Sequence, residues 1–377
     1  MNGVVTFDEA PPAGTINLGI GQPSADLLRV DLLREASEAF FNHAHPFDLN
    51  YGAQAGDERF LEALAGYLSG GYKATVSPDS LFLTAGSSQG LDFVSTVFGN
   101  SGDTVFVEEP SYFLAFQILR DHGLRLVGVP VDDDGMRTDA LEELLKEHDP
   151  TLVYVIPSYH NPGGHCMSHQ RRARLMELGR QHGFLIVADE VYQLLHYHEE
   201  PPPAFGTMID CDTVLSLGSF SKILAPGMRL GWIQGGPGLR KRLLENGFVS
   251  SGGSINHYAS HIVRHAIDLG LLEELVRELR ATYRDRVEVM QESLEAHLGH
   301  LATWQRPRGG YFFWLRFDES IDTAAFLDKA RELQTGFQAG SLFSCDGRLG
   351  NYLRLSFAHY DEDDIREGVA RMGRVFA

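Results

Sequence analysis

Between about Ser80 and Gln234, short apolar runs alternate with helical patterns, and no other feature constrains the fold as much. SLFLTA, DTVFVEE, LRLVGVPV, TLVYVIP, FLIVADE, TVLSLGS and RLGWIQG read as seven strands. They are continuously apolar rather than alternating, as strands buried on both faces are. Predicted helices at 89–98, 112–122, 139–148 and 168–182 separate several of them. The pattern predicts an α/β fold with a mostly parallel seven-stranded sheet between helices.

After Gly270 the texture changes. LLEELVRELRATYRDRVEVMQESLEAHL predicts one long amphipathic helix. A strand (GGYFFWLRF), a helix (TAAFLDKAREL), a strand (NYLRLSF) and a closing helix (DEDDIREGVARMGRVF) follow, the pattern of a smaller α+β domain. A chain of 377 residues exceeds what one hydrophobic core usually holds. The expected division is a large domain over 41–271 and a discontinuous small domain formed by 1–40 and 272–377.

The net charge of −19 repels phosphate backbones, and no basic stripe with interleaved aromatics is present, so nucleic acid is not an expected partner. The three cysteines, Cys166, Cys211 and Cys345, lie far apart and suggest neither a disulfide frame nor a zinc site. The opening residues MNGVVTFDEAPPAG lack a basic segment followed by an apolar run, and no apolar run approaches membrane-spanning length. A cytoplasmic protein without a membrane partner is expected.

The candidate site begins with the stretch 151–192. Strand TLVYVIP ends at Ser158–Tyr159–His160–Asn161–Pro162, a helical pattern follows, and strand FLIVADE ends at Asp189, shortly before Tyr192. A βαβ unit sends both strands to one edge of the sheet, so Asn161 and Asp189 should emerge side by side where open α/β sheets bind ligands. A carboxylate ending an apolar strand needs a cationic or donor partner, although it could also merely cap a turn. TVLSLGS delivers Ser219, Ser221 and Lys222 to the same edge, with Arg229 further on. Earlier, LFLTA runs into Gly86–Ser87–Ser88 and a helix, an anion cradle of backbone N–H groups. Tyr112, beyond the strand ending at Glu109, adds an aromatic platform. A phosphate cradle, an aromatic face, a buried carboxylate, O3′ donors and an amine are what pyridoxal phosphate requires.

The stretches TAGSSQG, EEPSYF, HNPGG, ADEVY and GSFSKILAPGMRLGW resemble, in order and spacing, those of the fold-type I pyridoxal-phosphate-dependent aminotransferases of classes I and II. The nearest subgroup is the 2-aminoadipate/kynurenine type and the catalytic domain of MocR-like regulators, although no DNA-binding segment precedes these motifs. The resemblance implies a ping-pong transfer of the amino group from an L-amino acid to a 2-oxo acid. It also implies roles: Lys222 as Schiff-base lysine and proton shuttle, Asp189 at the pyridinium nitrogen, and Asn161 and Tyr192 at O3′. Tyr112 would stack on the ring, while Gly86, Ser87, Ser88, Ser219, Ser221 and Arg229 would hold the phosphate. Arg354, with Asn161 and Gly21, would bind the substrate carboxylate by the fork that suits arginine to that task. Tyr51 would reach the phosphate of a neighbouring subunit, which requires a homodimer with shared active sites.

Other reactions on the same scaffold keep this set: a β-eliminating C–S lyase, a decarboxylase or an amino acid oxidase. A non-catalytic cofactor-binding protein is a further alternative. His160, His165, Cys166 and His169 cluster without a defensible metal motif, so no metal is expected. Gly235, Gly236 and Gly238 lack the remainder of a dinucleotide fingerprint. Two positions depart from the family pattern. Gly164 replaces the usual threonine, followed by a titratable His165, and Arg29 stands where relatives have proline, either reading an acidic substrate or lying on the surface. Tyr311, Phe337 and Phe343 are expected to line an apolar or aromatic substrate pocket.

Overall fold

The computed structural model describes residues 12–209 and 212–377; the first eleven residues and Cys211 lie outside the described residues. The main sheet runs in the order Leu81–Thr84, Gly231–Gly235, Val214–Ser219, Leu185–Asp189, Pro150–Val155, Thr104–Glu109, Arg125–Asp132, Gly135–Met136. The five strands from Val214–Ser219 to Arg125–Asp132 are mutually parallel, and Gly231–Gly235 is antiparallel to both its neighbours. Leu81–Thr84 therefore runs with the parallel set, and six strands deliver their C-terminal ends to one edge. All seven expected strands form. An eighth, Gly135–Met136, adds a hairpin to Arg125–Asp132, and at two residues it is too short to carry a periodic signal.

The continuous apolar strands are buried for the expected reason. Val153, Tyr154, Ile186, Val187, Leu215 and Leu217 are fully covered. Each such aliphatic side chain contributes roughly 1.5–3 kcal/mol relative to exposure. The sheet is therefore stiff where its ends must hold functional groups in place.

The long helix spans Leu271–Leu298 and buries Leu272, Leu275, Val276, Leu279, Tyr283, Val287, Met290, Leu294 and Leu298 at the spacing of one helical face. It packs on the closing helix Glu362–Phe376. A four-stranded antiparallel sheet, ordered Ala302–Thr303, Phe312–Phe317, Tyr352–Ser356, Gln338–Ala339, lies with them. Ile16–Asn17 pairs in parallel with Thr335–Gly336 and ties the N-terminal segment to this part of the chain. Helix Val30–His43 packs on His257–Asp268, so it crosses the expected join at residue 40. Among the described residues, no helix is long and apolar enough to cross a membrane.

Candidate active site

Register explains how the site assembles. Pro150–Val155 and Leu185–Asp189 pair with Val155 opposite Ala188, so the loops after both strands leave side by side. Asp189 is buried, and its Oδ2 accepts a hydrogen bond from the Tyr154 hydroxyl at 2.8 Å. Its Oδ1 is buried without a partner. Burial drives this carboxyl up to about 6, against the pull of the Tyr154 hydroxyl, the Val191 N–H and Lys222. A buried carboxylate with one open oxygen calls for a cationic N–H.

Lys222 follows the neighbouring strand Val214–Ser219. Its Nζ donates to the Gly21 carbonyl at 3.0 Å and lies 5.2 Å from the centre of the Tyr311 ring and 6.0 Å from that of Tyr192. Burial lowers its pKa to about 8, helped by the positive charge of Arg354 and opposed by Asp189. The amine is thus brought within reach of its neutral, nucleophilic form near neutral pH.

Arg354 lies on the strand Tyr352–Ser356. Nη1 donates to Asn161 Oδ1 at 2.9 Å, and Nη2 donates to the Gly19 carbonyl at 2.9 Å. The guanidinium sits 4.1 Å from the Phe312 ring centre and 5.0 Å from that of Phe343. Desolvation pushes its pKa down to about 10, leaving it a cation at physiological pH. A Cβ at Gly21 would meet the Phe312 ring at 3.1 Å and Arg354 Nη2 at 3.4 Å, so a side chain here would crowd both the ring and the guanidinium.

Gly86 has φ +90° and no side chain caps the helix Ser87–Phe98 that it opens. The N–H groups of the first turn, from Ser87 and Ser88 onward, therefore face outward as free donors. Arg229 donates to the Ala85 carbonyl at 3.0 Å, and a Cβ at Gly86 would lie 3.2 Å from its Nη2. Ser219 ends its strand, and its Oγ accepts the Ser221 N–H at 3.1 Å. Tyr112 stands just before the helix Phe113–Asp121, and its side chain makes no capping bond to it. Burial and the Asp189 charge push its phenol up to about 12.

The fold therefore gathers Lys222, Asp189, Asn161, Arg354, Tyr112, Tyr192 and Gly21, and it sets Arg229 beside Gly86 at the start of the helix that carries Ser87 and Ser88, with Ser219 and Ser221 at the end of the neighbouring strand. Tyr51 is not gathered: it is 84% exposed. Phe337 corrects an expectation. Gln338 pairs with Arg354 across the strands, so its neighbour Phe337 faces away from the site and packs near Phe376 instead. Arg29 is committed to Asp31 and Glu278, each at 2.7 Å. Gly164 has φ +73°, and a Cβ there would meet the Phe312 carbonyl at 3.2 Å, which explains why threonine is absent. Sequence reasoning missed Tyr154, whose hydroxyl was a visible polar signal inside TLVYVIP, and Gly19 and Phe312, which carried none.

The open oxygen of Asp189, the free donors at Ser87–Ser88 and the buried amine of Lys222 fit pyridoxal phosphate. Residues 13–372 match the family model described as aminotransferase class I and II. An aromatic-amino-acid aminotransferase of Thermococcus litoralis is 33% identical over 95% of this chain and 87% of its own. A 2-aminoadipate transaminase of Thermus thermophilus is 30% identical over 96% and 90%. The crystal structure of a Pyrococcus horikoshii kynurenine aminotransferase in complex with PMP superposes with a TM-score of 0.90 at 32% identity, covering 97% of this chain and 91% of that one. The chain belongs to the class I and II aminotransferases. It is a fold-type I enzyme that depends on pyridoxal phosphate and moves an amino group from an amino acid to a 2-oxo acid.

Proposed function

We propose that Lys222 Nζ carries the cofactor and then the proton of this transamination, on an L-amino acid with an apolar or aromatic side chain. The single observation that carries the reading is the open Oδ1 of buried Asp189, beside the strand that leads to Lys222. Once bound, the cofactor supplies an aldehyde for amine condensation and a ring that takes up carbanion charge. Asp189 Oδ1 would accept the ring N–H and keep that proton in place. The N–H groups of Ser87 and Ser88, with Gly86, Ser219, Ser221 and Arg229, would hold the phosphate. Asn161 and Tyr192 would donate to O3′, and Tyr112 would cover the ring. Arg354 exchanges the Gly19 carbonyl for the substrate carboxylate. Lys222 Nζ, released from Gly21, would take the substrate Cα proton and deliver it to the carbon that had been the cofactor's aldehyde.

Two observations support the substrate class. Tyr311, Phe312 and Phe343 surround the Lys222–Arg354 pair. Arg29, the extra cation that the sequence offered to an acidic side chain, is held by two carboxylates. The same reading makes the protein a cytoplasmic homodimer with shared sites, Tyr51 reaching the partner's phosphate. Phe41, Phe47, Leu49, Phe248 and Tyr258 are exposed along with it, large apolar side chains that a second copy would cover. The division into 41–271 and 1–40 with 272–377 belongs to this proposal too, helix Val30–His43 acting as the join.

The test is the half-reaction: holoenzyme is mixed with single amino acids and no acceptor. Loss of the visible lysine-linked band with one equivalent of 2-oxo acid, fastest for aromatic and aliphatic donors, is the expected result. Fastest reaction with acidic donors would overturn the substrate class. An absent band in cofactor-saturated protein would overturn Lys222.

A further inference from the structure

Beneath Asn161 lies a buried cluster that the site as described does not use. Glu108, His160 and His165 bring one ligand-type atom each to within 4.8 Å of one another, and Glu108 and His160 are fully buried. Glu108 Oε1, His160 Nε2 and His165 Nε2 all lack hydrogen-bond partners. The grouping has the composition of a metal site. Its hydrogen bonding argues otherwise. The Gly163 N–H donates to His160 Nδ1 at 3.0 Å, so Nδ1 carries the lone pair and the proton of the neutral ring sits on Nε2. Nε2 faces Glu108 Oε2 at 3.2 Å, and the lone pair a metal would need is not on that side.

We propose that His160 is the positioning residue of this site: its Nδ1 clamps the turn that aims Asn161 at Arg354 and at the cofactor. Three bonds of the turn converge on this one residue. Its N–H donates to the His165 carbonyl at 2.9 Å, its carbonyl accepts the Gly164 N–H at 2.7 Å, and its ring accepts the Gly163 N–H. The His165 ring stacks on it with centroids 4.5 Å apart. A Cβ at Gly163 would meet His165 Nδ1 at 2.6 Å and His160 Nδ1 at 3.1 Å, so glycine is required there by the two imidazoles. Glu108 backs the ring from the end of its strand and is itself fixed by the Ile156 N–H at 2.7 Å. The base of the loop is secured separately: buried Arg172 donates to the Pro157 carbonyl at 2.7 Å, to Ser158 Oγ at 2.9 Å and to the Met167 carbonyl at 3.0 Å. What His160 adds is the shape of the tip, and Asn161 is the next residue, its Oδ1 already 2.9 Å from Arg354.

The inference rests on the proposed roles of Asn161 and Arg354, and the experiment separates the two. An asparagine at 160 keeps an acceptor near the Nδ1 position, whereas a glutamine carries its amide past it, toward Nε2. Holoenzymes of wild type, His160→Asn and His160→Gln are compared in steady state and by pH titration of the visible lysine-linked band. His160→Gln is expected to raise KM for amino acids about tenfold or more, with a smaller change in kcat, because a displaced Arg354–Asn161 pair weakens carboxylate capture. The band should titrate at higher pH, since a misplaced Asn161 no longer favours the ionised O3′. His160→Asn should stay near wild type on both readouts. A role confined to stability would lower the melting temperature and leave both readouts unmoved; that result overturns the proposal, as do equal defects in the two variants. Histidine ¹⁵N shifts of the wild-type protein give a second test: a His160 protonated on Nδ1 also overturns it. If the wild-type band does not titrate at all, the fault lies with the O3′ assignment and not with His160.

Discussion

Asp189→Asn should act in opposite directions on the cofactor-free and cofactor-bound protein. Without cofactor, burial raises the carboxyl from 3.8 to about 6. A carboxyl whose folded pKa is raised binds a proton more readily folded than unfolded, so its contribution to stability falls as pH rises between the two values. At pH 8 the whole difference has developed and corresponds to about 3 kcal/mol, and at pH 5 about half of that is present. Asparagine cannot ionise and keeps an oxygen for the Tyr154 hydroxyl. Its own buried amide adds a cost that does not depend on pH. The stability difference between apo variant and apo wild type should therefore move in the variant's favour by about 1–2 kcal/mol from pH 5 to pH 8. With cofactor the effect reverses. The charge that pairs with the ring N–H is lost, and the half-reaction should slow by about 10²–10³-fold, the size associated with deleting one preorganised electrostatic group. Denaturant melts of the apo proteins at both pH values and stopped-flow half-reactions at pH 8 measure the two sides. A stability difference unchanged between pH 5 and pH 8 would refute the burial argument; a half-reaction at the wild-type rate would refute the pairing.

Lys222→Ala should still bind cofactor, without the lysine-linked absorbance, and show no turnover above background; equilibrium dialysis with a spectrum checks both. Glu108 is raised to about 7, with burial the main cause, so Glu108→Gln should gain on wild type as pH rises from 5 to 8, by at most about 3 kcal/mol, in melts of the apo protein. Gly164→Thr combines a left-handed backbone with a close carbonyl, and should lower stability by roughly 1–2 kcal/mol in denaturant melts. Tyr51→Ala mixed with Lys222→Ala should regain activity that neither homodimer has, because one hybrid site is intact; no regain in mixed, refolded subunits would refute sharing.

What the sequence disclosed and what it concealed divide along a physical line. The strands were legible because burial on both faces leaves an unbroken apolar run, and the edge residues Asp189, Asn161 and Lys222 were legible because topology alone sends parallel strand ends to one edge. Contacts that depend on where a side chain turns after it leaves the backbone were not. Arg29 offered a free cation in the sequence, yet it is neutralised by Glu278 from the long helix, a partner no local pattern connects to it. Phe337 went astray because it lies between two strands of only two residues each, so the alternation that decides its face could not be read without the register of Gln338 against Arg354. Glu108 was hidden for a related reason: in DTVFVEE it resembles the polar end of a strand, whereas the strand pairs on both sides through Glu108's neighbourhood and seals it inside. Tyr154, Glu108, His160 and Gly19, whose roles the sequence did not disclose, share one property. None need touch substrate; each holds a group of the site or the residue behind it, and holding is specified by packing around the site rather than by the chemistry within it.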